Sequence, residues 1–218
     1  MKTITTTLVH RILPPENSTS TTHPTLIMLH GRGADEEDLL GLAPYLDERL
    51  FILSVRAPFP FPYGGGYTWY DIGTVGTPEP TMFKESYEKL SAFVNDALTH
   101  YPIDRSHLYL LGFSMGTVMS YSLALTQASL FRGVIANSGY IPEGTHLTLR
   151  WNESSGLDFF IAHGANDPVI PAQLGRRAKE LLSKTESKFT YKEYPMGHQI
   201  SQESLTDFAA WLKDHLDK

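Results

Sequence analysis

The sequence predicts an α/β protein built on a mostly parallel sheet, and three observations carry that prediction. Short apolar runs alternate with longer segments of helical period, the pattern of strands joined by crossover helices. Several of the runs are apolar at every position, as strands covered on both faces must be. Between one such run and the helical segment after it stands Gly112-Phe113-Ser114-Met115-Gly116, which puts a serine between glycines where packing alone asks for nothing polar.

The chain has 218 residues, of which 41% are hydrophobic, enough for the core of one ordinary domain, so residues 1–218 are read as a single unit. Strands are expected at Thr5 to Leu13, Thr25 to Leu29, Leu50 to Val55, Leu108 to Gly112, Gly133 to Asn137, Phe159 to His163 and Phe189 to Tyr194. Phe83, Tyr87, Leu90, Phe93, Val94, Ala97 and Leu98 recur at three- and four-residue spacing and make one stripe of an amphipathic helix. Leu174, Ala178, Leu181 and Leu182 make a second stripe, and Leu205, Phe208, Ala209, Leu212 and Leu216 a third. A further helix can run from Thr117 to Thr126. Asn17 to His23, "NSTSTTH", reads as an exposed loop. Ala57 to Pro80, "APFPFPYGGGYTWYDIGTVGTPEP", has too much Pro and Gly for a regular element and too many aromatics for an idle loop.

A net charge of -6 without Lys/Arg clusters gives no footprint for a polyanion, so nucleic acid is not an expected partner. The absence of cysteine removes disulfides, thiolate metal sites and a cysteine nucleophile. The amino-terminal stretch holds neither a signal-peptide core nor a membrane span, and a soluble cytoplasmic protein is the expectation.

The five residues around Ser114 fit G-x-S-x-G in its informative context, after a strand and before a helix. A tight strand-to-helix turn forces the serine into an unfavourable backbone conformation, and a side chain on either flanking position would collide with neighbouring backbone. The hydroxyl then stands exposed at the sheet's carboxyl edge, beside a helix amino terminus that favours developing negative charge.

A serine hydroxyl needs a base, and the base needs a group to orient it. The expected chain order is Ser, then Asp or Glu, then His. His198, in "YPMGHQIS", lies on a loop that can reach the sheet's carboxyl edge, whereas His215 reads as a solvated helix-end residue. Asp167, in "FFIAHGANDPVIP", follows a strand end, while Asp158 precedes that strand and belongs at the opposite edge. Asp167 could instead cap the following helix, or share a metal with His163. An oxyanion hole completes the set: the Met115 N–H is one donor, and Arg32, in the glycine loop His30-Gly31-Arg32-Gly33, supplies the other. His30 is expected to fix that loop by hydrogen bonding, and the Arg32 guanidinium to face solvent or an acidic neighbour. Asp35 to Asp38 resemble a helix first turn rather than a calcium loop.

With those residues in place, the chain resembles the α/β-hydrolase superfamily, and within it the phospholipase/carboxylesterase family that includes acyl-protein thioesterase-like enzymes. The matching pieces are "LHGRGADEEDL", "APFPFPYGGGYTWYDI", "LLGFSMGTVMSYSLAL", "VIANSGYIP", "IAHGANDPVIP" and "YPMGHQIS", which span nearly the whole chain. The resemblance implies helices on both sheet faces, a triad of Ser114, Asp167 and His198, an oxyanion hole at Arg32 and Met115, no cofactor or metal, and hydrolysis of carboxylic esters or thioesters. Two departures stand out. Many thioesterase-like members read His-Gly-Leu-Gly and Gly-Phe-Ser-Gln-Gly where this chain has Arg32 and Met115, which alters the wall of the site.

Tyr140 to Leu157 is too short for a large cap domain, so an open cleft roofed by the Ala57 to Pro80 loop is expected. Phe59, Phe61, Tyr63, Trp69 and Tyr70 are candidates to line its acyl or alcohol pocket, against the alternative that they tether the loop. The expected substrate is a small-molecule ester of short or medium acyl chain, with a protein thioester or lysophospholipid as the alternative. A ligand-binding protein that keeps the fold without the chemistry is the rival from another class. The aromatic loop could also serve a homodimer contact.

Overall fold

The computed structural model describes residues 2–15 and 20–218. Seven strands form the central sheet: β1 (His10–Leu13), β2 (His23–Leu29), β3 (Phe51–Val55), β4 (Ile103–Phe113), β5 (Gly133–Asn137), β6 (Asp158–Gly164) and β7 (Lys188–Tyr194). Their spatial order is β1-β3-β2-β4-β5-β6-β7. β1 pairs antiparallel with β3, and every other pairing is parallel. This is the α/β-hydrolase architecture without a large cap.

Alternation along the strands sends their side chains to two separate cores. Ile27, Leu29, Leu53, Leu110 and Val134 join one core with helices α1 (Pro80–His100), α2 (Met115–Thr126) and α3 (Ala172–Leu182). Leu26, Met28, Ile52, Leu111 and Ile135 face the other way, onto α4 (Gln202–Leu216) and a 3₁₀ turn over Asp38–Tyr45. The stripes of α1, α3 and α4 are those the spacing predicts. α2 is different, because it is buried on every side and no stripe could mark it.

Several boundaries depart from expectation, β4 among them, which begins at Ile103 rather than Leu108. β1 begins at His10 rather than Thr5, since Thr6 turns its hydroxyl onto the Leu8 carbonyl and the chain bends before the pairing starts. The Ala57 to Pro80 segment is not wholly irregular: Phe59–Pro60 pairs with Tyr67–Thr68, and Ile72–Thr74 with Thr77–Pro78. Its last residue, Pro80, opens α1, where the Glu79 carboxylate caps the N–H groups of Thr81 and Met82. Of the loop expected at Asn17 to His23, residues 17–19 lie outside the described residues, and His23 already belongs to β2. No helix among the described residues is long and apolar enough to cross a membrane.

Candidate active site

The parallel strands deliver their following loops to one edge, and the site is assembled there from the ends of β2, β4, β6 and β7. β4 ends at Phe113 and α2 starts at Met115, leaving Ser114 alone in the turn with φ 56° and ψ -118°. The left-handed φ is the strain the motif implies, and it is held from outside: the Ser114 N–H donates to the Asn137 carbonyl at 3.0 Å. The flanking glycines are required by contact. A Cβ on Gly116 would stand 1.8 Å from the Leu29 carbonyl oxygen, and one on Gly112 would stand 2.4 Å from the Thr117 nitrogen.

His198 lies on the loop after β7, half-buried, with its Nε2 at 2.9 Å from Ser114 Oγ. Its Nδ1–H donates to Asp167 Oδ2 at 2.7 Å. With Nδ1 so engaged, the neutral ring turns the Nε2 lone pair toward the serine hydroxyl. Phe113 packs against the imidazole at 5.0 Å between centroids and limits its rotation.

Asp167 divides its oxygens. Oδ1 accepts from the N–H groups of Val169 and Ile170 at 2.8 and 2.9 Å, and Oδ2 is left for His198. The carboxylate thus orders its own loop but does not cap the next helix, which starts later, at Ala172 behind Pro171. Burial alone would raise its pKa; the hydrogen bonds from His198, Ile170 and Val169 together outweigh burial and hold the carboxyl below its ordinary range.

The metal alternative for His163 does not hold. Its Nε2–H donates to the Ile170 carbonyl at 2.8 Å, and the remaining Nδ1 is sealed against Gly175, where a Cβ would stand 2.6 Å away. Burial lowers the His163 pKa and keeps the ring neutral. Among the described residues no cluster of three or more potential ligands exists.

The glycine loop follows β2. His30 anchors it, accepting from the Ala57 N–H at 3.0 Å while its Nδ1–H donates to the Gly31 carbonyl at 2.6 Å and its own carbonyl accepts from the Trp69 indole at 2.9 Å. Arg32 and Met115 stand beside Ser114 in the wall of a cleft of about 380 Å³. Among the described residues neither main-chain N–H is spent on a protein acceptor, which leaves both available as donors. Of the acidic run Asp35 to Asp38 only Asp38 enters the 3₁₀ turn, while Glu36 before it is buried against Arg56.

Two expectations for side chains fail. Of the five aromatic candidates only Tyr70 lines the cleft, whose other apolar walls are Ile72, Val75, Tyr140, Val169 and Ile170. Trp69 is completely buried beneath the glycine loop, Phe61 lies under the Arg32 guanidinium, Phe59 lies under Lys89, and Tyr63 is 81% exposed. A loop this long must first tether itself, and that takes most of its rings. His215 is not solvated either: it is 7% exposed, stacked on Trp211 and hydrogen-bonded to Asp158.

A family description, phospholipase/carboxylesterase, matches residues 13–216. The chain belongs to the phospholipase/carboxylesterase family. It is 26% identical over 230 residues to acyl-protein thioesterase 1 of Candida albicans, covering 96% of this chain and 99% of that one. To acyl-protein thioesterase 1 of Mycosarcoma maydis it is 29% identical over 215 residues, covering 87% and 90%. The crystal structure of the Bacillus cereus carboxylesterase superposes with a TM-score of 0.84 at 25% identity, covering 95% of this chain and 94% of that one. Ester hydrolysis is the reaction class of this family and of this chain.

Within that family frame, the sequence reading missed several supporting groups. The Thr68 hydroxyl donates to the Tyr70 carbonyl at 2.8 Å and its oxygen lies 3.4 Å from Met115 Sδ, where the roof loop meets the serine turn. Thr117 Oγ1–H donates to the same Asn137 carbonyl that holds Ser114, at 2.7 Å. Ser138, at φ 48°, is a second strained residue directly after β5. "VIANSGYIP" marks the place in sequence, but nothing local in it shows that its Asn137 carbonyl braces the serine turn.

Proposed function

We propose that the protein hydrolyses carboxylic esters of short to medium acyl chains through an acyl-enzyme on Ser114. The reading rests on one observation above the rest: the continuous line from Asp167 through His198 to Ser114, at 2.7 and 2.9 Å, beside an apolar cleft. In this reading His198 Nε2 takes the serine proton as Oγ bonds to the ester carbon. The carbonyl oxygen gains the electron pair and is met by the N–H groups of Arg32 and Met115. Collapse breaks the bond to the leaving oxygen, which receives the proton from His198, and Asp167 stabilises the imidazolium between the two steps. Water then repeats the sequence at the acyl-enzyme, giving the acid and restoring Ser114 Oγ–H.

The two hollows around Ser114 support an assignment of the substrate's halves. The leaving group must lie on the imidazole side to be protonated, and His198 lines only the smaller hollow, about 260 Å³, together with Gly31, Ala34, Asp38 and Phe113. The larger cleft of about 380 Å³ is therefore assigned to the acyl chain. Similarity to acyl-protein thioesterases over 96% of the chain favours thioesters as the second reading, with thiolate in place of alkoxide.

A fluorophosphonate probe tests the nucleophile directly. Labelling is expected in the wild type, to be absent in Ser114→Ala and to be greatly slowed in His198→Ala. Labelling that persists in the alanine variant at 114 would overturn the proposal. Relative kcat/KM over matched oxygen and sulfur esters of increasing chain length then separates the two readings.

A further inference from the structure

Resting on that reading of the site, the geometry points to Arg32 as the residue that selects the acyl group: the preferred substrates are esters whose acyl chain carries a carboxylate, held by the Arg32 guanidinium. The mechanism uses only the main-chain N–H of this residue. Its exposed side chain is left over, and the residue lines both hollows beside Ser114.

The chain satisfies its other arginines. Arg11, Arg49, Arg56, Arg132, Arg150, Arg176 and Arg177 each pair with a carboxylate, and Arg105 donates to the Leu98 carbonyl. Among the described residues Arg32 is the one arginine whose guanidinium has only an aromatic contact, with Phe61 at 5.5 Å from its centroid. Phe61 is itself fixed, because its N–H donates to the Gly66 carbonyl at 2.9 Å and its ring packs on Gly33. A guanidinium lying on an aromatic face keeps its edge donors free, and that edge matches a carboxylate with two parallel hydrogen bonds.

The hollows differ in charge, and the difference decides which half of the substrate bears the anion. Asp38 stands in the smaller one beside Arg32 and offsets its charge there, whereas the larger one holds Arg32 without a carboxylate. Among the described residues lining the larger cleft Arg32 is the only ionisable side chain apart from tyrosine, and the other walls are aliphatic, aromatic, thioether, hydroxyl or backbone. An acyl chain that is apolar along its length and anionic at its end is complementary to that cleft. A cationic chain would meet the guanidinium with no compensating carboxylate.

The test compares three aryl esters that share a leaving group: 4-nitrophenyl hydrogen adipate, its neutral methyl ester and 4-nitrophenyl 6-(trimethylammonio)hexanoate, each corrected for uncatalysed hydrolysis. Wild-type kcat/KM is expected to favour the carboxylate over the methyl ester by about five- to tenfold and to disfavour the ammonium ester. That preference should shrink as sodium chloride is raised, a measurement that needs no variant. It should vanish in Arg32→Gln and survive in part in Arg32→Lys. Using the ratio within each variant removes any change in the common rate that follows from disturbing the neighbouring N–H. Equal rates on all three esters, a ratio untouched by Arg32→Gln, or a preference for the ammonium ester would overturn the inference. Turnover that persists at wild-type rate in Ser114→Ala would instead overturn the reading of the site.

Discussion

The two edges of the central sheet each hold an aspartate–histidine pair, and only one of them turns its outer nitrogen to a serine hydroxyl. At the carboxyl edge Asp167 holds His198 at 2.7 Å, and the far nitrogen of the ring faces the Ser114 hydroxyl, a group with a proton to give. At the amino edge Asp158 holds His215 at 3.0 Å, but the other ring nitrogen faces the Trp211 carbonyl at 2.7 Å. Both nitrogens of His215 therefore face buried acceptors, and neither faces a group with a proton to give. The same Asp158 oxygen also takes Arg132 at 2.9 Å, and Trp211 covers the ring at 4.0 Å between centroids. An acid–histidine pair becomes a base only when its outward nitrogen is left something to deprotonate; otherwise it is a bolt between helix and sheet.

That contrast is broken most severely by exchanging the fates of the two histidines. His198→Ala and Ser114→Ala are each expected to lower kcat on a short aryl ester by about 10⁶-fold, with far-UV circular dichroism and urea midpoint close to wild type. Asp167→Asn should lower kcat by about 10⁴-fold, because the ring loses its fixed tautomer while the serine and the oxyanion donors remain. The amino-edge counterpart sharpens the comparison from the other side. His215→Ala is expected to leave kcat unchanged and to reduce unfolding free energy by about 1–3 kcal/mol, read from urea denaturation. A comparable loss of turnover at both edges would mean that the contrast between them is wrong.

The smallest expected effect concerns histidines that belong to neither pair of hydrogen-bonded acids. Burial lowers the pKa of His10, His30 and His163 from the ordinary 6.5. The unfolded chain then binds more protons than the folded one as pH drops below that value. Their stabilisation is full above about pH 6.5 and is lost as pH falls toward the lowered values. The urea midpoint of Ser114→Ala should decline between pH 7.5 and pH 5.5, in a protein that has no turnover to confuse the measurement. An invariant midpoint would show that these rings are as easily protonated folded as unfolded.

Much of this site is legible in the sequence. The glycines around Ser114 announce a turn that no side chain can enter, and the clash distances at Gly112 and Gly116 are the physical form of that signal. The choice of Asp167 over Asp158 needed only the direction of a parallel strand. By contrast, the aromatics of the roof loop looked alike in sequence, yet Trp69 supports the glycine loop through the His30 carbonyl and Tyr70 alone reaches the cleft. Composition could not separate them, because each ring's role depends on what arrives from another part of the chain.

The sequence by itself determined where strands end, where the strained serine must sit and the order of its partners, since these follow from backbone sterics and apolar period, which act between near neighbours in the chain. Tertiary structure alone decided that His198 is open while His215 is closed, and that the Arg32 side chain meets a ring and no carboxylate. Those outcomes depend on contacts between residues up to dozens of positions apart, whose geometry is fixed only when the helices and loops close over the sheet.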